Sequence, residues 1–274
     1  MKTYKQCIKE YSRYLKDITH IPQKEVEILL LHLIEKNTIW LHLNYDKECH
    51  IEDSLKKLVM KRATDYPLEY ITKKVSFYGE LFNIEDGVLI PRPQTEILVE
   101  KAYEILKDIK NPKLIEIGTG SGVISVMLAK LIPNIEIVAV DINPKALELA
   151  KTNAIIHNQS NKITFIKSDL FTNVPEQNYD MVISNPPYIA NNYKLPKNVT
   201  YEPSNALFGG DRGSELLIDI IEQTYTKGIK YLYCEIGYDQ KKILEDLIKS
   251  KNPKGYSFYK DYEGFHRGFC IEFI

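Results

Sequence analysis

The apolar run at residues 179–184 ends in Asn185-Pro186-Pro187-Tyr188, and these four residues could do chemistry. Two adjacent prolines lack a backbone N–H and have a fixed φ, so they stop a strand abruptly. The tip then carries an amide side chain, two carbonyls without ladder duty and an aromatic ring. Such a set suits a planar –NH2 group. The Asn185 side-chain oxygen and the Pro186 carbonyl can accept its two protons, with Pro187 beside them and the Tyr188 ring against its face.

A second motif supplies the other half of a reaction. In Gly118-Thr119-Gly120-Ser121-Gly122 a glycine-rich turn joins an apolar strand (114–117) to an apolar helix pattern (121–131). Glycines let the chain turn tightly and let a ligand touch the backbone. Alone, this pattern is equally a plain strand-to-helix turn. The next strand, 136–141, ends in Asp141, 23 residues after Gly118, where an acid would grip the hydroxyls of a ribose. The pair could serve a dinucleotide or S-adenosylmethionine. Hydride transfer has no use for an amine-holding tip, so the Asn-Pro-Pro-Tyr turn favours S-adenosylmethionine. Asp141 could instead cap the helix from Pro144, but Asn143 is better placed for that. Asp169-Leu170 closes the third strand and could meet the adenine, the carboxylate accepting from its amine and the leucine packing on it.

Positioning these groups requires an α/β scaffold. From residue 113 onward strand candidates (114–117, 136–141, 163–167, 179–184, 230–236, 255–260, 268–273) alternate with helix candidates (121–131, 144–156, 214–226, 239–250). Alternation implies a mainly parallel sheet covered on both faces. The last two strands lack an intervening helix and should pair antiparallel through Glu263-Gly264. Residues 1–72 carry helical spacing (Tyr4, Ile8, Tyr11, Leu15; Val26, Leu29, Leu30, Leu33) and read as a bundle of about four short helices, either a stabilising cap or a substrate-docking domain. Residues 73–92 read as a linker, a strand pair with an Asp86-Gly87 turn leading into Val88-Leu89-Ile90. The methyl-transfer half then spans 93–274. Thr95 and Glu96 could be helix-start residues, and Arg92 a surface charge or a contact for the cofactor's carboxylate. The Asn- and Pro-rich segment 189–213 reads as a lid.

Composition narrows the classes. A net charge of −1 over 274 residues gives no overall attraction to nucleic acid or membrane. The N-terminus lacks an apolar signal region, and the longest strongly apolar stretch, 28–34, is too short to span a bilayer, so a cytoplasmic protein is expected. Cys7, Cys49, Cys234 and Cys270 form no Cys-x-x-Cys pair, and Cys49-His50 has no further ligands at metal spacing, so no metal is expected.

The chain resembles the HemK/PrmC-type protein N5-glutamine methyltransferases that modify peptide chain release factors. The resemblance rests on residues 89–96 (Leu-Ile-Pro-Arg-Pro-Gln-Thr-Glu), the glycine motif, Asp141, Ser168-Asp169, residues 184–189, Glu202-Pro203 with Ala206-Leu207, and the Asp261…Arg267 ending. Pro67-Leu68-Glu69-Tyr70 and Phe77-Tyr78 also look like the family's linker region. The family usually has an acid where Gln94 stands, and Asp211-Arg212-Gly213 replaces its usual Asp-Gly-Leu. The resemblance implies a seven-stranded, Rossmann-like class I methyltransferase sheet, mostly parallel with an antiparallel last strand. It further implies S-adenosylmethionine as methyl donor, the glutamine of a release factor Gly-Gly-Gln motif as acceptor, and a helical domain that helps grip the release factor. Three alternatives stand beside it: an adenine or cytosine amino-methyltransferase, which would use a similar tip on a flipped base; a ribosomal-protein glutamine methyltransferase; and a binding module with a dead site, against which the intact motifs argue. Neutral charge and the lack of a further domain after the sheet speak against direct nucleic-acid binding.

Overall fold

The structure, a computed structural model, describes residues 2–273. It divides into two compact units.

The first unit runs to Lys74 and includes Leu195–Tyr201. Its helices are α1 (Tyr4–Tyr11), α2 (Pro22–Ile34), α3 (Thr38–Leu43), α4 (Glu52–Arg62) and α5 (Leu68–Thr72). The apolar positions spaced at three and four residues meet in one core of Cys7, Tyr11, Leu15, Val26, Leu29, Leu30, Leu55 and Val59. A buried Arg62 clamps Glu25 through two hydrogen bonds of 2.7 and 3.2 Å, tying α4 to α2. Two buried charges persist only when paired. The segment Leu195–Tyr201 is anchored in this unit as well. Tyr201 meets the Tyr66 ring edge-on at 5.0 Å and donates to the Thr64 carbonyl at 3.0 Å, while Lys197 pairs with Asp65 at 3.0 Å.

The second unit begins with a hairpin of β1 (Lys74–Phe77) and β2 (Glu80–Asn83). Its turn is Tyr78-Gly79, not the expected Asp86-Gly87. Both central residues sit at positive φ, 53° and 75°, as a tight hairpin turn requires. The Glu96 carboxylate accepts the Tyr78 N–H at 2.7 Å and steadies it. Val88-Leu89-Ile90 is correspondingly no strand, because the Ile90 N–H is taken by the Glu202 carboxylate at 2.9 Å.

Then follow α6 (Thr95–Leu106), β3 (Lys113–Ile117), α7 (Val123–Leu131), β4 (Glu136–Asp141), α8 (Pro144–Ile156), β5 (Ile163–Lys167), β6 (Met181–Ser184), β7 (Ile189–Ala190), β8 (Phe208–Gly210), α9 (Glu215–Thr226), β9 (Tyr231–Glu235), α10 (Lys241–Ser250), β10 (Gly255–Lys260) and β11 (His266–Glu272). Seven strands form one sheet in the order β10-β11-β9-β6-β3-β4-β5. All pairs are parallel except those of β11 with β9 and β10. This is the class I methyltransferase sheet anticipated above. Ile115 and Ile117 pack with Leu217, Ile220 and Leu244 from α9 and α10, whereas the alternate residue Glu116 meets Ser125 of α7 on the other face.

Segment 189–213 is not one open loop. β7 and β8 pair within it, and two short 3-10 turns (Val199–Tyr201, Ser204–Ala206) shape its middle. No described helix is long and apolar enough to cross a membrane.

Gly122 seats α7 on α8. It has φ +82°, and a Cβ there would lie 2.9 Å from the Ala150 Cβ and 3.1 Å from its Cα. Gly122→Ala should therefore destabilise the protein by about 2–4 kcal/mol, from left-handed strain plus a clash with backbone. Urea unfolding would read this directly, and an unchanged midpoint would refute it.

Candidate active site

Sheet register gathers the motifs. β3 lies between β4 and β6, with Ile117 opposite Val140 and Ser184, so Gly118, Asp141 and Asn185 leave three adjacent strands side by side. Here the strand order reverses, the place where open α/β sheets bind ligands. An open pocket of about 740 Å³, mouth included, lies there. Its lining includes Gly118, Gly120, Asp141, Asp169, Leu170, Asn185 and Pro187, with Val88, Leu89, Ile142 and Asn205 around them.

The glycine loop is built to admit a ligand. Gly118 and Gly120 have φ of +72° and +55°, and no atom lies within 4 Å of where their Cβ atoms would stand. Asp141 accepts the Gly120 N–H and the Asn143 N–H, both at 2.9 Å. Burial nevertheless raises its carboxyl above the ordinary value, against these amides. Asn143, not Asp141, caps α8, accepting the Lys145 N–H at 3.0 Å. Thr119, Ser121 and Gly122, expected to contact the cofactor, do not line the pocket. Thr119 is buried with its hydroxyl on Glu116 at 2.8 Å, the Ser121 carbonyl accepts from Asn153 at 2.8 Å, and Gly122 faces Ala150. They hold the shape of the loop.

Glu116 is the buried anchor of that loop. It accepts from Thr119 and Ser125, while its Oε1 has no partner among the described residues. Burial raises its pKa from 4.5 to about 7 despite the two hydroxyls. Between those values the folded state holds a proton that the unfolded state has lost, so stability falls as pH rises. The integrated loss from pH 4.5 to 7 is about 3 kcal/mol. Unfolding free energies at about pH 5 and pH 7.5 should show this slope in the wild type and a flatter one in Glu116→Gln. Equal slopes would contradict it.

The Asn-Pro-Pro-Tyr tip is held from behind. Pro186 is buried and does not line the pocket. A Cβ on Gly209 would lie 2.3 Å from the Pro187 carbonyl oxygen, and one on Gly213 2.4 Å from that of Tyr188, so this backbone approach needs both glycines. Gln240 donates to the same Tyr188 carbonyl at 2.9 Å. The Tyr188 hydroxyl donates to Glu235 at 3.0 Å, and the ring lies outside the pocket lining.

Glu235, which sequence patterns passed over, completes the site together with Thr95, read there only as a helix-start residue. Thr95 is buried, and its hydroxyl donates to Glu235 at 2.7 Å and accepts from the Asn185 Nδ2 at 3.0 Å. The Asn185 Oδ1 makes no hydrogen bond among the described residues. Glu235 is buried at the end of β9, and burial raises its carboxyl. The Thr95 and Tyr188 hydroxyls and the Arg267 and Arg92 charges oppose that rise. Arg267 is fixed on Asp261 at 2.8 Å. Arg92 is not a loose surface charge: it pairs with the buried Glu202.

Comparison with known proteins agrees with this arrangement. Residues 6–72 match the PrmC N-terminal domain model, and 93–202 match the methyltransferase small domain. The release factor glutamine methyltransferase of Aquifex aeolicus is 32% identical over 97% of this chain and 96% of its own. That of Fusobacterium nucleatum is 35% identical over 90% and 72%, and that of Clostridium acetobutylicum 32% over 97% of each. Among solved structures, the catalytic domain of hMettl16 in complex with a MAT2A 3'UTR hairpin shares the fold (TM-score 0.60, 18% identity, 81% of this chain and 82% of that one), as does the N-terminal domain of human METTL16 in complex with SAH (TM-score 0.54, 16% identity, 89% and 94%). With near-complete coverage at about one-third identity, the chain belongs to the family of release factor glutamine methyltransferases.

Proposed function

We propose that this enzyme transfers a methyl group from S-adenosylmethionine to the side-chain amide nitrogen (N5) of the glutamine in the Gly-Gly-Gln motif of peptide chain release factors. The observation that carries this reading is the Asn185 amide, whose nitrogen is tied back to Thr95 and whose oxygen is unclaimed in the same pocket as Gly118, Gly120 and Asp141.

The residues fit the cofactor. The Gly118–Gly120 backbone leaves open space, Asp141 offers acceptors for ribose hydroxyls, and Asp169-Leu170 offer an acceptor and an apolar surface for adenine. S-adenosylmethionine, when bound, supplies an electrophilic methyl group. The chain's own work is on the acceptor. An amide nitrogen is a poor nucleophile because its lone pair is delocalised into the carbonyl. The Asn185 Oδ1 and the backbone carbonyl of the buried Pro186 accept hydrogen bonds from its two N–H groups, orient it and stabilise the positive charge that grows on it, and one of those protons is lost to water once the methyl is on nitrogen. Tyr188 serves by holding the tip through Glu235, a different role from the ring-on-amide packing expected from sequence. Docking of the protein substrate falls to the helical unit or to the lid segment 189–213.

The test is transfer of labelled methyl to a purified release factor, to its Gly-Gly-Ala version, and to duplex DNA and structured RNA. Label on the intact factor alone is the expected result. Label on nucleic acid, or none on the factor, overturns the reading.

A further inference from the structure

We propose that Thr95 and Glu235 are positioning residues that set which end of the Asn185 amide faces the acceptor, and so make the site selective for a group that donates two protons. This inference rests on the reading of Asn185 as the acceptor's partner.

A primary amide has an accepting and a donating end of nearly equal shape, so packing alone does not choose between them. The choice is made by donor and acceptor bookkeeping in the buried chain behind it. Glu235, as a carboxylate, only accepts, and it faces two hydroxyls: Tyr188 at 3.0 Å on Oε1 and Thr95 at 2.7 Å on Oε2. A threonine hydroxyl has one proton. With that proton committed to Glu235, Thr95 can offer Asn185 only lone pairs, so the Asn185 Nδ2 must turn to it, at 3.0 Å. The Oδ1 is thereby forced into the pocket. Thr95 and Glu235 are 2% and 1% exposed, so water does not scramble the order. Both sit on separate elements, α6 and β9, and neither lines the pocket.

The relay has a polarity, and polarity can be tested by reversing it. Thr95→Val keeps the shape and removes the hydroxyl. It should lower kcat at least about tenfold with little change in the affinity for S-adenosylhomocysteine, and Thr95→Ser should restore most of the rate. Asn185→Asp places a second carboxylate on Thr95, which has no proton left to give, and should be nearly inactive. Glu235→Gln should lower the wild-type rate yet raise that of Asn185→Asp. The amide introduced at position 235 can donate to Thr95, which frees the threonine proton for the carboxylate introduced at position 185. A purely structural role for Glu235 gives loss in both backgrounds. Thr95→Val at the wild-type rate, or an Asn185→Asp/Glu235→Gln double variant no faster than Asn185→Asp, overturns the relay. Wild-type enzyme assayed alongside on the release factor separates this outcome from failure of the functional reading, which would remove the wild-type signal itself.

Discussion

Asn185→Ala should reduce turnover on a release factor by on the order of 10²–10³-fold, the usual cost of deleting one preorganised group that meets charge developing in a transition state. The affinity for S-adenosylhomocysteine should stay close to wild type. The asymmetry follows from where the side chain is tied. Its nitrogen contacts Thr95, in a chain leading to Glu235 and Tyr188, and none of its recorded bonds supports the glycine loop. The loop is instead held by Asp141 and Glu116. Alanine therefore removes the partner for one amide proton while leaving the cofactor's supports in place. Single-turnover methyl transfer at saturating cofactor, with calorimetry for the cofactor product, separates the two effects. Near-normal turnover would sink the assignment of Asn185. Parallel losses in binding and rate would place its role in the cofactor pocket.

The parts of this site that are legible in the sequence are those built from neighbours in the chain. A strand, a glycine turn and a helix announce themselves within a few turns of chain, and the acid at the end of the following strand is a short count away. The Thr95–Glu235 contact joins residues 140 apart and exists only because β9 lies beside β6 and α6 begins behind them. One trace is present: a carboxylate at the end of the apolar run Tyr231-Leu232-Tyr233-Cys234. Burying such a group is costly unless it is paired, so it signals an unseen partner. Glu116, inside Leu114-Ile115-Glu116-Ile117, carries the same signal, and there the partners are the hydroxyls of Thr119 and Ser125.

The linker departs from its local signals for a related reason. Asp-Gly is a strong hairpin signal, and tyrosine is a poor candidate for positive φ, so local rules favour Asp86-Gly87 over Tyr78-Gly79. Two carboxylates distant in sequence decide otherwise. Glu96 takes the Tyr78 N–H, and Glu202 takes the Ile90 N–H that a third strand would have needed. The same Glu202 binds Arg92, so one buried acid accounts for both the missing strand and the position of that arginine.

Asp141→Ala should weaken cofactor binding on the order of 10²-fold while leaving the rate at saturating cofactor within reach of wild type. A carboxylate has about four acceptor positions. Backbone N–H groups of Gly120 and Asn143 fill two, at 2.9 Å each, the Ile142 N–H also favours the charged carboxylate, and the residue lines the pocket with acceptor capacity left for ribose hydroxyls. Losing two charge-assisted bonds to ribose would cost about 3 kcal/mol even when water replaces part of each, and each step of about 1.4 kcal/mol is tenfold in affinity. Alanine also releases the Gly120 N–H, so the loop that cradles the ligand loses its tether. Asp141→Asn should not rescue, because its –NH2 would be turned on one of two backbone donors. Titration with S-adenosylhomocysteine measures the loss, and steady-state kinetics should place it in the cofactor's KM. Asp141→Ala with wild-type affinity would mean that the ribose is held elsewhere. A fall in kcat alone would move Asp141 from binding the cofactor to shaping the Asn185 side of the site, and the two variants would then no longer separate the halves of the reaction.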